Sequence, residues 1–312
     1  MKPIIYQTAC WMLLAAMGSF GQSRLDQRLA QGNTYASQSR WDDAIVEYQA
    51  VLKARPRLAA AHYDLGNAWA AKGEIAKAID EYHEALKLNP KDAEAYNNLA
   101  LALAQEGHVE EAIKNYQEAV HLNPADALFH YNLANVLSAR QDWKDAIPEY
   151  HAALRLKPGD AAEHNNLGLA LQAQGDRPGA LSEFEAALGL QPANGLFHYN
   201  IANAFATRRD WSSAITEYRL AILLNRQDSA SHANLGYAFA QQGSLNRAIF
   251  EYRRAVSLNP RDARARFNLG SALERQGNLQ EAREQYQIAA SLATANSEYR
   301  SAVERLGGSI KN

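Results

Sequence analysis

The chain has 312 residues, with 32 Lys and Arg against 34 Asp and Glu and a formal net charge of −2, the two signs interleaved. That balance supplies no basic stripe of the kind nucleic acid demands. The single cysteine, Cys10, excludes an internal disulfide framework and a cysteine-built metal site.

Residues 1–21 differ from everything that follows. Met1 and Lys2 precede a mostly apolar run to Phe20, densest from Ala9 to Met17, and Ser19 and Gly21 form a small-x-small exit. A positive start, a brief apolar stretch and small residues at the exit predict a secretory signal cleaved after Gly21. The dense run falls short of the ~20 apolar residues that cross a bilayer, so an uncleaved N-terminal anchor is the alternative. The expected location is periplasmic or secreted, or membrane-anchored if the segment stays. Residues 22–24 are a short lead-in.

From residue 25 to 296 the chain repeats every 34 residues, in eight copies: 25–58, 59–92, 93–126, 127–160, 161–194, 195–228, 229–262 and 263–296. Pro56, Pro90, Pro124, Pro158, Pro192 and Pro260 share one grid point, with Arg226 in the place of the missing member. Ala44, Ala78, Ala112, Ala146, Ala180, Ala214, Ala248 and Ala282 share another. Four residues after each comes an aromatic: Tyr48, Tyr82, Tyr116, Tyr150, Phe184, Tyr218, Tyr252 and Tyr286.

Each copy predicts two helices. In residues 93–126, numbered as positions 1 to 34, Tyr96, Leu99, Ala100 and Leu103 make one buried stripe at helical spacing. Gly107 ends that helix, and Ala112, Tyr116 and Ala119 form the stripe of the second. Asn123-Pro124 stops it, because proline disfavours helix in the residue before it. The residue at position 34 then caps the next helix: Asp92, Asp126, Asp160, Asn194, Asp228, Asp262 and Asn296. Pro148 falls in the second turn of its helix, where a modest kink is expected. One hairpin cannot bury its own stripe, so the copies must stack.

Residues 297–306 predict a closing helix, with residues 297–312 forming cap and tail. Tyr299, Ala302, Val303 and Leu306 face the last repeat, Glu298, Arg300, Glu304 and Arg305 face water, and Gly307 and Gly308 end it.

The motif resembles the tetratricopeptide repeat family, whose pattern W-x2-L-G-x2-Y, A-x3-F, P appears here as His164-x2-Leu167-Gly168-x2-Leu171, Ala180-x3-Phe184 and Pro192. The resemblance covers residues 25–296. Histidine commonly replaces tryptophan at position 4, and the first copy carries Gln31 where leucine is usual. It implies an all-α fold, a right-handed α-solenoid of eight hairpins with a C-terminal cap, whose first helices line a concave groove.

A second period of 68 residues lies inside the first: Phe129-His130-Tyr131-Asn132 matches Phe197-His198-Tyr199-Asn200, and Trp143 matches Trp211. At ~100° per residue, position 6 points away from the buried stripe. It holds Asp64, Asn98, Asn132, Asn166, Asn200, Asn234 and Asn268. A stacked file of amides can hydrogen-bond an extended peptide backbone. The file resembles the asparagine ladder in the repeat domain of O-GlcNAc transferases, which holds peptide main chain; hairpin geometry is the other reason for asparagine there. Tyr63, Tyr131, Tyr199 and Phe267 flank it at position 5, and Asn67, Asn135, Asn203 and Tyr237 occupy position 9. These rings serve either partner contact or packing between hairpins.

The middle of this groove is nearly neutral, with charge returning at Arg264, Glu274 and Arg275. Positions 2 and 5 hold no lysine, so the carboxylate clamp of chaperone-binding relatives is absent, and mid-groove recognition should depend only weakly on salt. His62, His130, His164, His198 and His232, all at position 4, are spaced by about one helix-packing distance of 8–10 Å, too far to converge on zinc. They read as core or boundary packing. Glu47, Glu81, Glu149, Glu183, Glu217 and Glu251 read as a solvated face or interhelix pairs. Trp41, Trp143 and Trp211 cover hairpin turns that lack a glycine.

No GxSxG, HExxH, Walker or GxGxxG motif is present, so neither catalysis nor a cofactor or metal is expected. The sequence therefore predicts a non-catalytic protein-protein interaction scaffold that binds another protein or peptide in the groove, without nucleic acid and without a membrane span once the signal is removed. The alternative is a cell-envelope assembly factor acting through its convex face or ends, with self-association open.

Overall fold

The computed structural model describes residues 24–307; residues 1–21, where the signal is expected, most of the lead-in, and residues 308–312 lie outside the described residues. The chain is all-α, with no strand among those residues. It divides into two compact units, Met1–Pro158 and Gly159–Asn312.

The first unit holds four hairpins. They are α1 (residues 24–37) with α2 (Trp41–Ala54), α3 (Ala59–Ala71) with α4 (Ile75–Leu88), α5 (Ala93–Gln105) with α6 (Val109–Leu122), and α7 (Ala127–Ala139) with α8 (Trp143–Leu156). The second holds α9 (Ala161–Gln174) with α10 (Arg177–Leu190), α11 (Gly195–Thr207) with α12 (Trp211–Leu224), α13 (Ser229–Gln241) with α14 (Leu245–Leu258), and α15 (Ala263–Gln276) with α16 (Leu279–Leu292). A closing helix, α17 (Ser297–Arg305), packs on α16. Within each unit, every helix packs on the next in sequence, and first helices of adjacent hairpins also touch.

Local chemistry sets the boundaries. All seven position-34 residues cap the helix that follows: Asp126 accepts from the Leu128 amide and Asn296 from those of Glu298 and Tyr299, for example. Each cap satisfies backbone donors that a helix start leaves without partners. Between the two helices of a hairpin the chain needs one left-handed residue. Gly73, Gly107, Gly175, Gly243 and Gly277 supply it, whereas Ser39, Gln141 and Arg209 adopt it at φ 58°, 65° and 60°. These three are the turns that tryptophan follows. Helix α8 runs unbroken through Pro148, whose ring sits on the exposed side.

The core is the repeated stripe. The position-20 alanines are at most 1% exposed and the position-24 rings at most 2%. An alanine there lets the paired helices approach, and the ring fills the space above it. In the second unit Tyr218, Tyr252 and Tyr286 join one cluster that Tyr299, Ala302 and Val303 of α17 close.

Candidate functional site

The position-6 side chains depart from their expected exposure. Six of them are half-buried and Asn200 is 6% exposed; within each unit the first helix of the preceding hairpin covers that face. In the first unit, Asn98 Nδ2 donates to the Tyr63 hydroxyl at 3.1 Å and to Asn67 Oδ1 at 3.0 Å. Asn132 Nδ2 donates to Asn97 Oδ1 at 2.8 Å, and Asn97 Nδ2 to Asn98 Oδ1 at 3.0 Å. In the second unit, Asn200 Nδ2 donates to Asn165 Oδ1 at 2.7 Å. Asn234 Nδ2 donates to the Tyr199 hydroxyl at 3.2 Å and to Asn203 Oδ1 at 3.0 Å.

These amides link hairpins. Asn98 and Asn234 spend both N–H groups on the neighbour, so what these two can offer a ligand is the carbonyl oxygen. The linkage varies with position 5: after Tyr63 and Tyr199 the next asparagine meets the hydroxyl, and after Asn97 and Asn165 it meets an amide.

Position 9 has a second duty. Asn33, Asn67, Asn135 and Asn203 accept from the hydroxyls of Tyr48, Tyr82, Tyr150 and Tyr218 at 2.6–2.8 Å. Burial pushes the Tyr48 hydroxyl up to about 12 and raises those of Tyr82 and Tyr218 further. Where position 9 is Leu169, the facing ring is Phe184, which needs no acceptor. Asn33 went unnoticed in the sequence reading, although the Asn-to-Tyr spacing of 15 residues recurs at every one of these pairs.

The position-5 rings pack inside their own hairpins. Tyr63, Tyr131 and Tyr199 lie with centroids 6.1–6.2 Å from Tyr82, Tyr150 and Tyr218. Phe267 stacks at 4.7 Å on Tyr299 of the closing helix, which claims it for capping. Arg305, expected to face water alone, reaches back to Glu274 at 2.6 Å, and Glu274 also accepts from the Tyr286 hydroxyl at 2.7 Å.

The histidines latch the hairpins. Nδ1 of His62, His130, His164, His198 and His232 lies 2.5–2.7 Å from the position-23 glutamate of the same hairpin. Nε2 of His62, His130 and His198 meets the carbonyl of Pro56, Pro124 and Pro192 at 2.9–3.1 Å. Of the two readings of the glutamates, interhelix pairing holds for Glu81, Glu149, Glu183, Glu217 and Glu251.

One recess collects several of the candidate residues. On the first helices of the second unit, a cavity of about 1010 Å³ is lined by Tyr199, Asn203, Asn234, Tyr237 and Asn268. Tyr237 is 44% exposed and meets Trp211 edge-on at 5.8 Å. Asn268 makes no side-chain hydrogen bond to another described residue. Arg209 and Arg264 also line it. Arg209 was overlooked because its position was read only as a missing glycine. Asp64, Asn98, Asn132, Tyr63, Tyr131, Asn67 and Asn135 sit on the first helices of the other unit, outside this cavity. Asn166, Asn200 and Phe267 belong to the second unit and do not line it.

Sequence models described as TPR repeat match residues 32–73, 66–107, 102–139, 134–175 and 236–277, and models described as tetratricopeptide repeat match 165–234 and 263–296. The chain belongs to the tetratricopeptide repeat family. Members of this family are generally non-catalytic and bind other proteins or peptides. No curated protein matches the chain. Among solved structures, MamA protein is similar at 28% identity, with a TM-score of 0.51 over 54% of this chain and 92% of that one. The C-terminal part of a TPR repeat-containing protein from Cytophaga hutchinsonii, 15% identical, gives 0.65 over 77% and 99%. YrrB, described as a TPR protein with an unusual peptide-binding site, is 20% identical and gives 0.53 over 60% and 96%. The latter two share the fold alone. No helix among the described residues is long and apolar enough to cross a membrane.

Proposed function

We propose that the chain is a non-catalytic interaction scaffold that holds an extended segment of another protein against the first helices of its repeats. The observation that carries this reading is the cavity of about 1010 Å³ where Tyr199, Asn203, Asn234, Tyr237 and Asn268 converge. Half-exposed rings supply contact area with few rotors to freeze, and the amide oxygens supply acceptors for backbone N–H groups. Export by the 1–21 segment places this binding in the cell envelope or outside the cell. The peptide-binding description of YrrB agrees with a use of this fold for peptides.

The full chain as bait against an envelope extract tests the reading, beside a bait carrying Tyr237→Ala and Asn268→Ala. These changes spare the amide links between hairpins. Release of the captured partner by the second bait, at equal helicity, supports the groove; equal retention contradicts it. An assembly role through the second helices is the other reading, favoured by Leu223 and Phe250, each 63% exposed on α12 and α14.

A further inference from the structure

We infer that the groove of the second unit selects an extended peptide bearing acidic side chains, received by the guanidinium groups of Arg209 and Arg264. This rests on the groove reading above and adds the chemistry of its occupant. Both arginines line the cavity, and no aspartate or glutamate does. The Arg209 guanidinium makes no ion pair or hydrogen bond with another described residue. Arg264 reaches only Asn234 Oδ1, at 3.5 Å.

A third guanidinium, Arg275, donates at 3.4 Å to the Ala240 carbonyl and also lies near Tyr252. The neighbouring carboxylates are engaged elsewhere: Asp210 and Asp262 cap their helices by accepting from the Ser213 and Ala265 amides, and Glu274 is held by Arg305 and by the Tyr286 hydroxyl, which keeps its carboxyl below its ordinary value. The wall of the recess thus carries two guanidinium groups and no carboxylate. A carboxylate entering it forms charge-assisted hydrogen bonds, and guanidinium presents a planar fork suited to them. Arg209 also occupies the left-handed turn position that glycine fills in five other copies, a conformation that disfavours a β-carbon.

The rest of the wall argues for peptide over another polyanion. Asn234 has spent its N–H groups, so beside the Arg264 contact its oxygen keeps one lone pair for a donor on the ligand, and Tyr237 offers a ring face. A backbone N–H beside a carboxylate side chain supplies both; polyphosphate supplies no donor. Arg209 follows the C-terminal end of α11 and Arg264 opens α15, so the two side chains start from opposite ends of first helices two hairpins apart. One terminal carboxylate cannot serve both, so the acids are side chains along a chain that passes through.

Fluorescence anisotropy with the full chain tests this. The probes are labelled peptides of about ten residues, ends blocked, alternating glutamate with glycine or glutamine with glycine. A glycine-serine peptide with a free terminal carboxylate and inorganic polyphosphate complete the set. The glutamate peptide is expected to bind about tenfold more tightly than the glutamine peptide, with the gap shrinking as salt rises. Arg209→Gln and Arg264→Gln should each weaken it about threefold or more at unchanged helicity. Equal binding of the glutamate and glutamine peptides overturns the inference, as does glutamate binding untouched by both variants. Equal or tighter binding of the free-terminus peptide or polyphosphate also overturns it. Equal glutamate and glutamine binding that Tyr237→Ala abolishes leaves the groove standing and removes only its acidic preference; binding indifferent to Tyr237→Ala removes both.

Discussion

His198 Nδ1 lies 2.6 Å from Glu217 Oε2 while Nε2 of the same ring lies 2.9 Å from the Pro192 carbonyl oxygen. One ring therefore ties α11 to its partner α12 and to the end of the preceding hairpin. In the last repeat Arg266 makes the equivalent pair of contacts, to the Pro260 carbonyl at 2.8 Å and to Gln285 Oε1 at 3.1 Å. His198→Ala should cost about 1–3 kcal/mol, because it leaves a carboxylate and a carbonyl without their donor. The double change His198→Arg, Glu217→Gln copies the natural alternative and should retain more stability than His198→Ala. Urea unfolding of the three chains checks this ordering.

Asp64 is the one carboxylate in the position-6 file, and burial raises its carboxyl to about 6. A raised carboxyl means the folded state binds more protons than the unfolded one between about pH 4 and 6. Stability contributed by this group is present at low pH and falls as pH rises through that window. Asp64→Asn should stabilise the chain at pH 7 by about 1 kcal/mol after allowance for solvent screening. It should also flatten the dependence of Tm on pH between about 4 and 6. Thermal melts at several pH values read both effects.

Gln141 holds φ 65° in a turn where glycine is the commoner residue. Gln141→Gly should raise stability by up to about 1 kcal/mol, since the left-handed strain of a β-carbon exceeds the added chain freedom. Tm measured by circular dichroism should rise by a few degrees; a fall would show that its side chain matters more than its backbone.

Tyr218 donates to Asn203 at 2.6 Å, whereas Phe184 faces Leu169. Tyr218→Phe alone should cost about 1 kcal/mol. Adding Asn203→Leu should deepen the loss, because the Asn234 amide then loses its acceptor as well. A double-mutant cycle in urea measures the coupling.

The hairpins were legible because eight copies repeat the same alanine and an aromatic four residues on, and the caps because Asp or Asn precedes each first helix after the first two repeats and the closing helix. The surroundings of position 6 were not. A helical wheel places Asn98 opposite Leu99 and Leu103, but it cannot see the neighbouring hairpin whose Tyr63 and Asn67 receive the amide. The histidine latch was half visible, since the 19-residue spacing from His130 to Glu149 recurs in five copies, yet only packing shows the ring reaching a carbonyl of the preceding hairpin. Arg209 was hidden by its turn, where sequence reading asks about backbone and ignores the side chain.

The most direct test replaces Tyr237 or, separately, Phe250 with the photo-crosslinking amino acid p-benzoylphenylalanine in the full chain and irradiates it in the native envelope extract. Both side chains are exposed aromatics, at 44% and 63%, one in the groove and one on a second helix. A partner crosslinked from position 237 and not from position 250 is the predicted result. Crosslinking from position 250 alone would contradict the groove as the binding surface.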